Sequence, residues 1–389
     1  MGHICAMKII AWLATLLFAT CGSAQISGTA GEREAARRFG ESIATAFNER
    51  DAKLMASLID VRGFGLRMAK VQGMGPGDQE QFATGLEKSG LSQLYSGYFQ
   101  TMDASNGSAR FLRVTQTRPA RALVRLDLGA NGNDYLEFVL ETREGRTRAV
   151  DWFVLSSGEL VSETIGGVVQ MFTTSDAGLL GRLFGTDRVD AKSVTRLRKA
   201  GELQRAGKYA EALAEVRQLP EPIANSRALL SAQASMAQMS KNDAEYTRVL
   251  AKLAEKYSDN PATAFKLIDH YFTIKDRPNM LKSLDTMEKR VGADGVTRNL
   301  RAAAYFATGD YVNTLKYADE AIRIEPTLMS GYDTRCSALI GLARYAEAVA
   351  EYQSLAKRFD LEFTREVFAG DPLFVKFVAS PAFRDWLPE

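Results

Sequence analysis

Any chemistry in this chain has to be done with few of the usual reactive groups. It has two histidines, His3 and His270, and three cysteines, Cys5, Cys21 and Cys336. A histidine-based zinc site or a Ser-His or Cys-His catalytic pair needs an imidazole, and a disulfide needs two thiols that both stay in the mature chain. Three of the five candidates lie in residues 1–24, where Lys8, the apolar run 9–19 and then Thr20, Cys21, Gly22, Ser23 and Ala24 have the layout of a cleavable secretory leader. That leaves His270 and Cys336, each alone, so no metal site, disulfide or cofactor is expected. Gly73, Gly75 and Gly77 alternate as in a phosphate cradle. Such a cradle is fed by a strand, and no strand pattern precedes these glycines, so they read as a loop. No paired carboxylates, nucleotide-binding motif or metal-spaced cluster stands out, and a non-enzymatic chain with no catalytic residues is the expectation.

The leader sets the expected compartment. A membrane-spanning helix needs about 20 apolar residues, so the run 9–19 favours export and cleavage over anchoring, with the periplasm as destination. The alternative is a lipoprotein, because Phe18, Ala19, Thr20 and Cys21 also resemble a lipidation signal with Cys21 as the mature end. Without residues 1–24 the net charge is +1, which predicts no nucleic-acid partner and no electrostatic attachment to an anionic membrane. No integral membrane segment is expected after cleavage.

Residues 28–176 read as an α+β domain. Ala35, Ala36, Phe39, Ile43, Ala44 and Phe47 recur at helical spacing over 32–48, a shorter helix follows Asp51, and a third carries Phe82, Leu86, Leu91, Leu94, Tyr95, Tyr98 and Phe99. From Ser108 the period changes to two, giving four strands at 109–117, 121–128, 134–141 and 148–155. Three-residue turns at Ala130-Asn131-Gly132 and Glu144-Gly145-Arg146 would set Val124 opposite Phe138, Leu126 opposite Leu136, Phe138 opposite Trp152 and Leu140 opposite Val150. One sheet face is then apolar and must be covered by the helices. The other mixes charges with apolar residues. Cross-strand pairs of Arg125 with Glu137 and of Arg121 with Glu141 are expected on it, with partial solvation. A sharper expectation makes this face a ligand pocket of Arg125, Tyr135, Glu137, Asp151 and Phe153. A closing helix is predicted over 159–172. Helices followed by a curved antiparallel sheet is similar, in order and size, to the NTF2-like or cystatin-like folds. Enzymes of that class usually place an Asp with His or Tyr in the cone, and this domain has no histidine.

Residues 177–192 read as a linker, and beyond it the chain repeats. Gly207-Lys208-Tyr209, Gly309-Asp310-Tyr311 and Ala343-Arg344-Tyr345 fall in one register with a period of 34 residues. Five packing columns taken at this period hold 24 apolar or aromatic residues in 25 places, Thr314 being the exception, where composition alone predicts about half that number. Residues 193–360 therefore resemble a tetratricopeptide repeat array of five helix pairs, an all-α solenoid. Lys241 and Lys275 replace the turn glycine in repeats two and three, so longer or bent turns are expected there. Residues 361–389, rich in aromatic side chains, read as a C-terminal cap.

The resemblance implies a concave groove that holds a protein or peptide. The matching groove positions are Asp269, Phe272, Asn299, Phe306, Asp333, Ser337 and Ile340, with Phe272 and Phe306 as aromatic anchors. The lysine and asparagine with which some members clamp a peptide carboxylate fall on Phe265 and Asp269, on Asn299 and Ala303, and on Asp333 and Ser337, so that clamp is absent. The expected function is an exported scaffold for protein partners. The alternative is a small molecule or lipid bound in the N-terminal cone, with the repeats as support.

Overall fold

The computed structural model describes residues 29–129, 132–166 and 189–388. The leader, most of the linker and much of the predicted closing helix lie outside them.

The N-terminal domain opens with five helices: α1 (Ala30–Asn48), α2 (Ala52–Leu58), α3 (Val61–Val71), α4 (Pro76–Ser89) and α5 (Ser92–Ala104). Side-chain caps start the first three. Thr29 forms a capping box with Glu32, and Asp51 and Asp60 accept from backbone amides of the first turns of α2 and α3. Two of these helices depart from expectation. α3 falls where the glycines Gly63 and Gly65 weaken the helical signal. They serve close packing, because a Cβ on Gly63 would sit 2.8 Å from Val150 Cγ1 and one on Gly65 would sit 2.9 Å from Ala83 Cα. The long third helix of the sequence reading is two, divided at Gly90, whose φ of +72° ends α4.

The sheet follows as a meander in the order β1 (Ser108–Thr117), β2 (Ala120–Asp127), β3 (Asn133–Arg143), β4 (Arg146–Val154) and β5 (Glu159–Leu160), all antiparallel. Among the described residues it has five strands, not four. The extra one is two residues long and takes the start of the predicted closing helix, whose described part is helical only over 161–166.

The expected register needs two corrections. Val124 pairs with Leu136 and Leu126 with Asp134, a slip of two residues that leaves each side chain on its expected face. At the next hairpin Phe138 does face Trp152, but Glu144 and Gly145 form a two-residue turn with positive φ at both. An irregularity after Val139 then sets Leu140 opposite Ala149 and not Val150. The helix-covered face is a dense core, with Phe64 stacked 5.5 Å from Trp152 and Phe39 centred 5.6 Å from Phe138.

Residues 191–359 form, among the described residues, five antiparallel helix pairs. They are α6 (Ala191–Arg205) with α7 (Tyr209–Val216), then after a short α8 (Glu221–Ala224) α9 (Arg227–Met239) with α10 (Asp243–Tyr257), and α11 (Pro261–Thr273) with α12 (Arg277–Val291). The last two pairs are α13 (Gly295–Phe306) with α14 (Tyr311–Ile324), and α15 (Met329–Gly341) with α16 (Tyr345–Phe359). Each intra-pair turn closes the same way, and the absence of glycine does not lengthen it. Gly207, Lys241, Lys275, Gly309 and Ala343 all have φ between 55° and 74°. The following amide in each turn bonds to a carbonyl five residues back, as in Lys208 to Leu203, Asn242 to Ala237 and Asp276 to Tyr271. Stacking holds these turns in the left-handed region even where the side chain disfavours it. Beyond α16, a 3₁₀ turn (Arg365–Phe368), α17 (Val375–Val378) and α18 (Pro381–Trp386) pack Phe368, Phe377 and Phe383 onto Tyr352 and Leu355 and close the apolar end of the stack.

Candidate functional site

The mixed face of the sheet is not solvated. It lies against the repeat array, and its apolar members Leu123, Tyr135 and Leu155 share one buried cluster with Leu230, Leu267, Ile268 and Leu284 of the helices. Tyr135 meets Phe265 edge-on at 6.3 Å. Its alternating side chains make this face too apolar for water and too charged for a plain core. Both problems are met by the array, which supplies apolar cover and opposite charges.

Two charge centres mark the contact. Arg125 on β2, 3% exposed, donates to Asp294 Oδ2 at 2.9 Å and to Glu325 Oε2 and Oε1 at 2.9 and 2.7 Å. Asp294 and Glu325 sit at the junctions that lead into α13 and out of α14, so one guanidinium ties both ends of that helix pair to the sheet. Asp294 also caps α13 in a box with Thr297 and accepts from the Tyr135 hydroxyl at 3.1 Å. Burial first, and then the neighbouring Asp294 carboxylate, pushes the Tyr135 phenol well up. Glu137 on β3 is 2% exposed and accepts from Arg290 of α12 at 2.6 Å, Thr115 at 2.7 Å and Arg121 at 2.8 Å. Burial raises its carboxyl, but these donors outweigh burial and hold it below its usual range. The expected pairs of Arg125 with Glu137 and of Arg121 with Glu141 are thus replaced. Glu141 turns to Arg67 and Arg143.

Arg113 completes the seam by donating to the carbonyls of Val291 and Ala293, so that a strand side chain finishes the C-terminus of α12. The Arg290 guanidinium lies 4.4 Å over the Phe153 ring. Of the five residues expected to line a pocket, Arg125, Tyr135, Glu137 and Phe153 are therefore interface residues. Asp151 lies within the N-terminal domain, where it accepts from the amides of Trp152 and Ser162 and, at 2.6 Å, from the Ser162 hydroxyl. Burial dominates and raises its carboxyl.

The groove survives beside this contact as two clefts that share Asn133 and Leu300. The first, about 390 Å³, is lined by Asp134 and Ser156 from the sheet and by Gln238, Tyr246, Phe265, Lys266 and Asp269 from the helices. The second, about 770 Å³, runs between Arg110, Arg125 and Asp127 on one side and Val296, Asn299, Glu325 and Met329 on the other. Two of the expected groove residues, Asp269 and Asn299, thus open into clefts, one into each. The buried Asn299 Oδ1 has no hydrogen-bond partner among the described residues.

The other groove residues are not gathered there. Phe272 is 45% exposed beyond the sheet contact, and Phe306 is half-buried with its ring 5.8 Å from Tyr311. Asp333 is exposed, Ser337 is half-buried, and Ile340 is buried with Leu339 and Val349 in the cluster that meets the cap, so Ile340 packs and presents nothing to a partner. The cleft residues Lys266, Gln238 and Tyr246 were not anticipated. The available signal was Lys266 itself, a lone charge in the otherwise apolar start of α11. His270 lies against Tyr271 at 5.4 Å and lines neither cleft. Its ring is shifted down by burial. Among the described residues no group of three or more potential metal ligands occurs, and no helix is long and apolar enough to cross a membrane.

No family model matches the chain. Among solved structures it is similar to MamA (residues 41 to the end) from Desulfovibrio magneticus RS-1, with TM-score 0.37 and 13% identity over 43% of this chain and 95% of that one. A MamA structure from AMB-1 gives TM-score 0.35 and 13% identity over 47% and 100%. A tetratricopeptide repeat protein from Parabacteroides merdae ATCC 43184 gives 0.35 and 14% over 58% and 82%. At scores this low the tetratricopeptide-like character of the array rests on its own helix pairs and their recurring turns.

Proposed function

We propose that this is an exported, periplasmic scaffold whose repeat array holds a segment of a partner protein beside the docked NTF2-like domain. The observation that carries the reading is the 770 Å³ cleft along α13 and α15. It combines apolar walls at Val296, Leu328 and Met329 with polar side chains of Asn299, Thr327 and Ser330, the mixture an extended peptide needs to bury side chains and to hydrogen-bond its backbone. The exposed Phe272 offers an anchor outside it.

The test is photocrosslinking in cells from an amber-encoded crosslinker at Met329, followed by identification of the adduct. One discrete partner whose crosslink falls at least tenfold in Asn299→Lys, with the melting temperature unchanged, supports the reading. A crosslink indifferent to Asn299→Lys and Phe272→Glu removes the groove. Osmotic-shock release would place the protein in the periplasm, whereas membrane retention abolished by Cys21→Ala would mark the lipid-anchored form. A small ligand in the N-terminal domain has less support, because the sheet face expected to line its pocket is packed against the repeat helices.

A further inference from the structure

The smaller cleft has a chemical asymmetry that a partner-binding groove does not require. Lys266 and Asp269 stand three residues apart on α11, adjacent on one helix face and opposite in charge, yet no ion pair within 4 Å joins them or ties either to another described residue. Gln238 and Tyr246 line the same cleft, and their side chains have no hydrogen-bond partner among the described residues. The carboxylate across from Lys266 is already engaged. Asp134 accepts from the amides of Tyr135 and Ser156 at 2.8 and 3.0 Å and from the Ser156 hydroxyl at 2.5 Å. Arg227, the nearby cation, is directed to the Ser157 carbonyl and Glu159. Burial pushes the Lys266 ammonium down, against the pull of the Asp134 carboxylate, and the Asp269 carboxyl up.

We propose that this cleft binds a short peptide with both termini free, its carboxylate on Lys266, its ammonium on Asp269 and an apolar side chain against Leu128, Phe265 and Leu300. Neither a simple anion nor a simple cation fits the donor set. An anion on Lys266 would leave Asp269 bare and face its repulsion, and a cation on Asp269 would do the same to Lys266. A zwitterion satisfies both at once, and Gln238 and Tyr246 remain to bond the peptide group between the two charges. Size points to a dipeptide. Side chains three apart on a helix leave it about 5–6 Å apart, and two extended residues span roughly 7 Å. The 390 Å³ cleft lies within the range of small-ligand sites. The inference stands apart from the protein-partner reading, which concerns the neighbouring cleft.

The test is isothermal titration calorimetry of the full chain with leucyl-leucine, N-acetyl-leucyl-leucine and leucyl-leucine amide. Binding of the free dipeptide, weakened about tenfold or more by blocking either end, is expected. Lys266→Met should abolish the penalty for amidation and Asp269→Asn the penalty for acetylation, since each blocked end then loses nothing further. Equal affinity for free and blocked forms, or no heat with any of the three at millimolar concentration, overturns the proposal. If either variant fails to fold, the comparison of blocked and free ligands on the unaltered protein decides alone.

Discussion

Replacing Arg125 with methionine should loosen the sheet from the repeat array by a calculable amount. The substitution removes three hydrogen bonds of 2.7–2.9 Å and leaves the side chains of Asp294 and Glu325, 4% and 7% exposed, without their shared cation. Breaking a buried ion pair from one side costs about 3–5 kcal/mol, chiefly because the surviving charges stay desolvated. Asp294 keeps the Tyr135 hydroxyl and the Thr297 amide, and Glu325 keeps Arg110 at 3.2 Å, so the lower end, about 3 kcal/mol, is expected. The chain reports this conveniently. Trp152 lies in the N-terminal core and Trp386 in the cap, so urea unfolding followed by fluorescence in Trp386→Phe and Trp152→Phe backgrounds, with Trp12 also replaced by Phe, reads the two ends separately. Arg125→Met should lower the midpoint at Trp152 and separate two transitions that are expected to coincide in the parent. Adding Asp294→Asn, which keeps the helix cap, and Glu325→Gln removes the stranded charges and should bring stability back to within about 1 kcal/mol. A single variant within 1 kcal/mol of the parent, or a triple variant as unstable as the single, would refute the reasoning.

Three further outcomes follow from named residues. Glu245 is held down to about 2, first by its hydrogen bonds with Arg248 and then, against burial, by Arg217. Because its folded value lies below the unfolded one near 4.5, its contribution is present above pH 4.5 and is lost as pH falls toward 2. The shift corresponds to about 3 kcal/mol, reduced to roughly 2 because both guanidinium groups are half in solvent. Stability of Glu245→Gln measured from pH 6 to pH 2 should fall less steeply by that amount, and an unchanged slope would exclude the ion pair. Glycine at Lys241, Lys275 or Ala343 should stabilise by roughly 0.5–1 kcal/mol each, the relief of a left-handed side chain less the added freedom of the unfolded chain, and a loss of stability on denaturant unfolding would contradict the turn geometry. Cys336 is wholly buried, and burial, reinforced by Glu351 and Asp333, pushes its thiol up. A thiol-specific reagent should therefore label it only at the rate of unfolding, and rapid labelling of the native protein would mean that the fifth repeat is not packed as described.

Much of the fold was legible because it is periodic. The 34-residue step located helix pairs and turns through residues near one another in the chain, and alternation assigned the faces of the sheet. What failed has local causes. Alternation is blind to a slip of two, so it placed Val124 and Leu136 on the right face with the wrong partners. Composition reads Gly63 and Gly65 as helix weakeners, although their value in α3 is the room they leave for Val150 and Ala83. Lys241 and Lys275 looked like altered turns because a propensity cannot see the stacked neighbours that impose the φ.

The candidate site was legible only in pieces. By itself the sequence determined a mixed charged face on an antiparallel sheet and a stack of helix pairs with open positions at Asp269 and Asn299. Only the tertiary structure decided that these two surfaces meet, so that Arg125 is spent on Asp294 and Glu325, 169 and 200 residues away, and what stays open is a pair of clefts along the seam. Periodicity records which side chains must leave water. Which of them then face each other depends on the docking of two preformed surfaces, and no spacing along the chain encodes that.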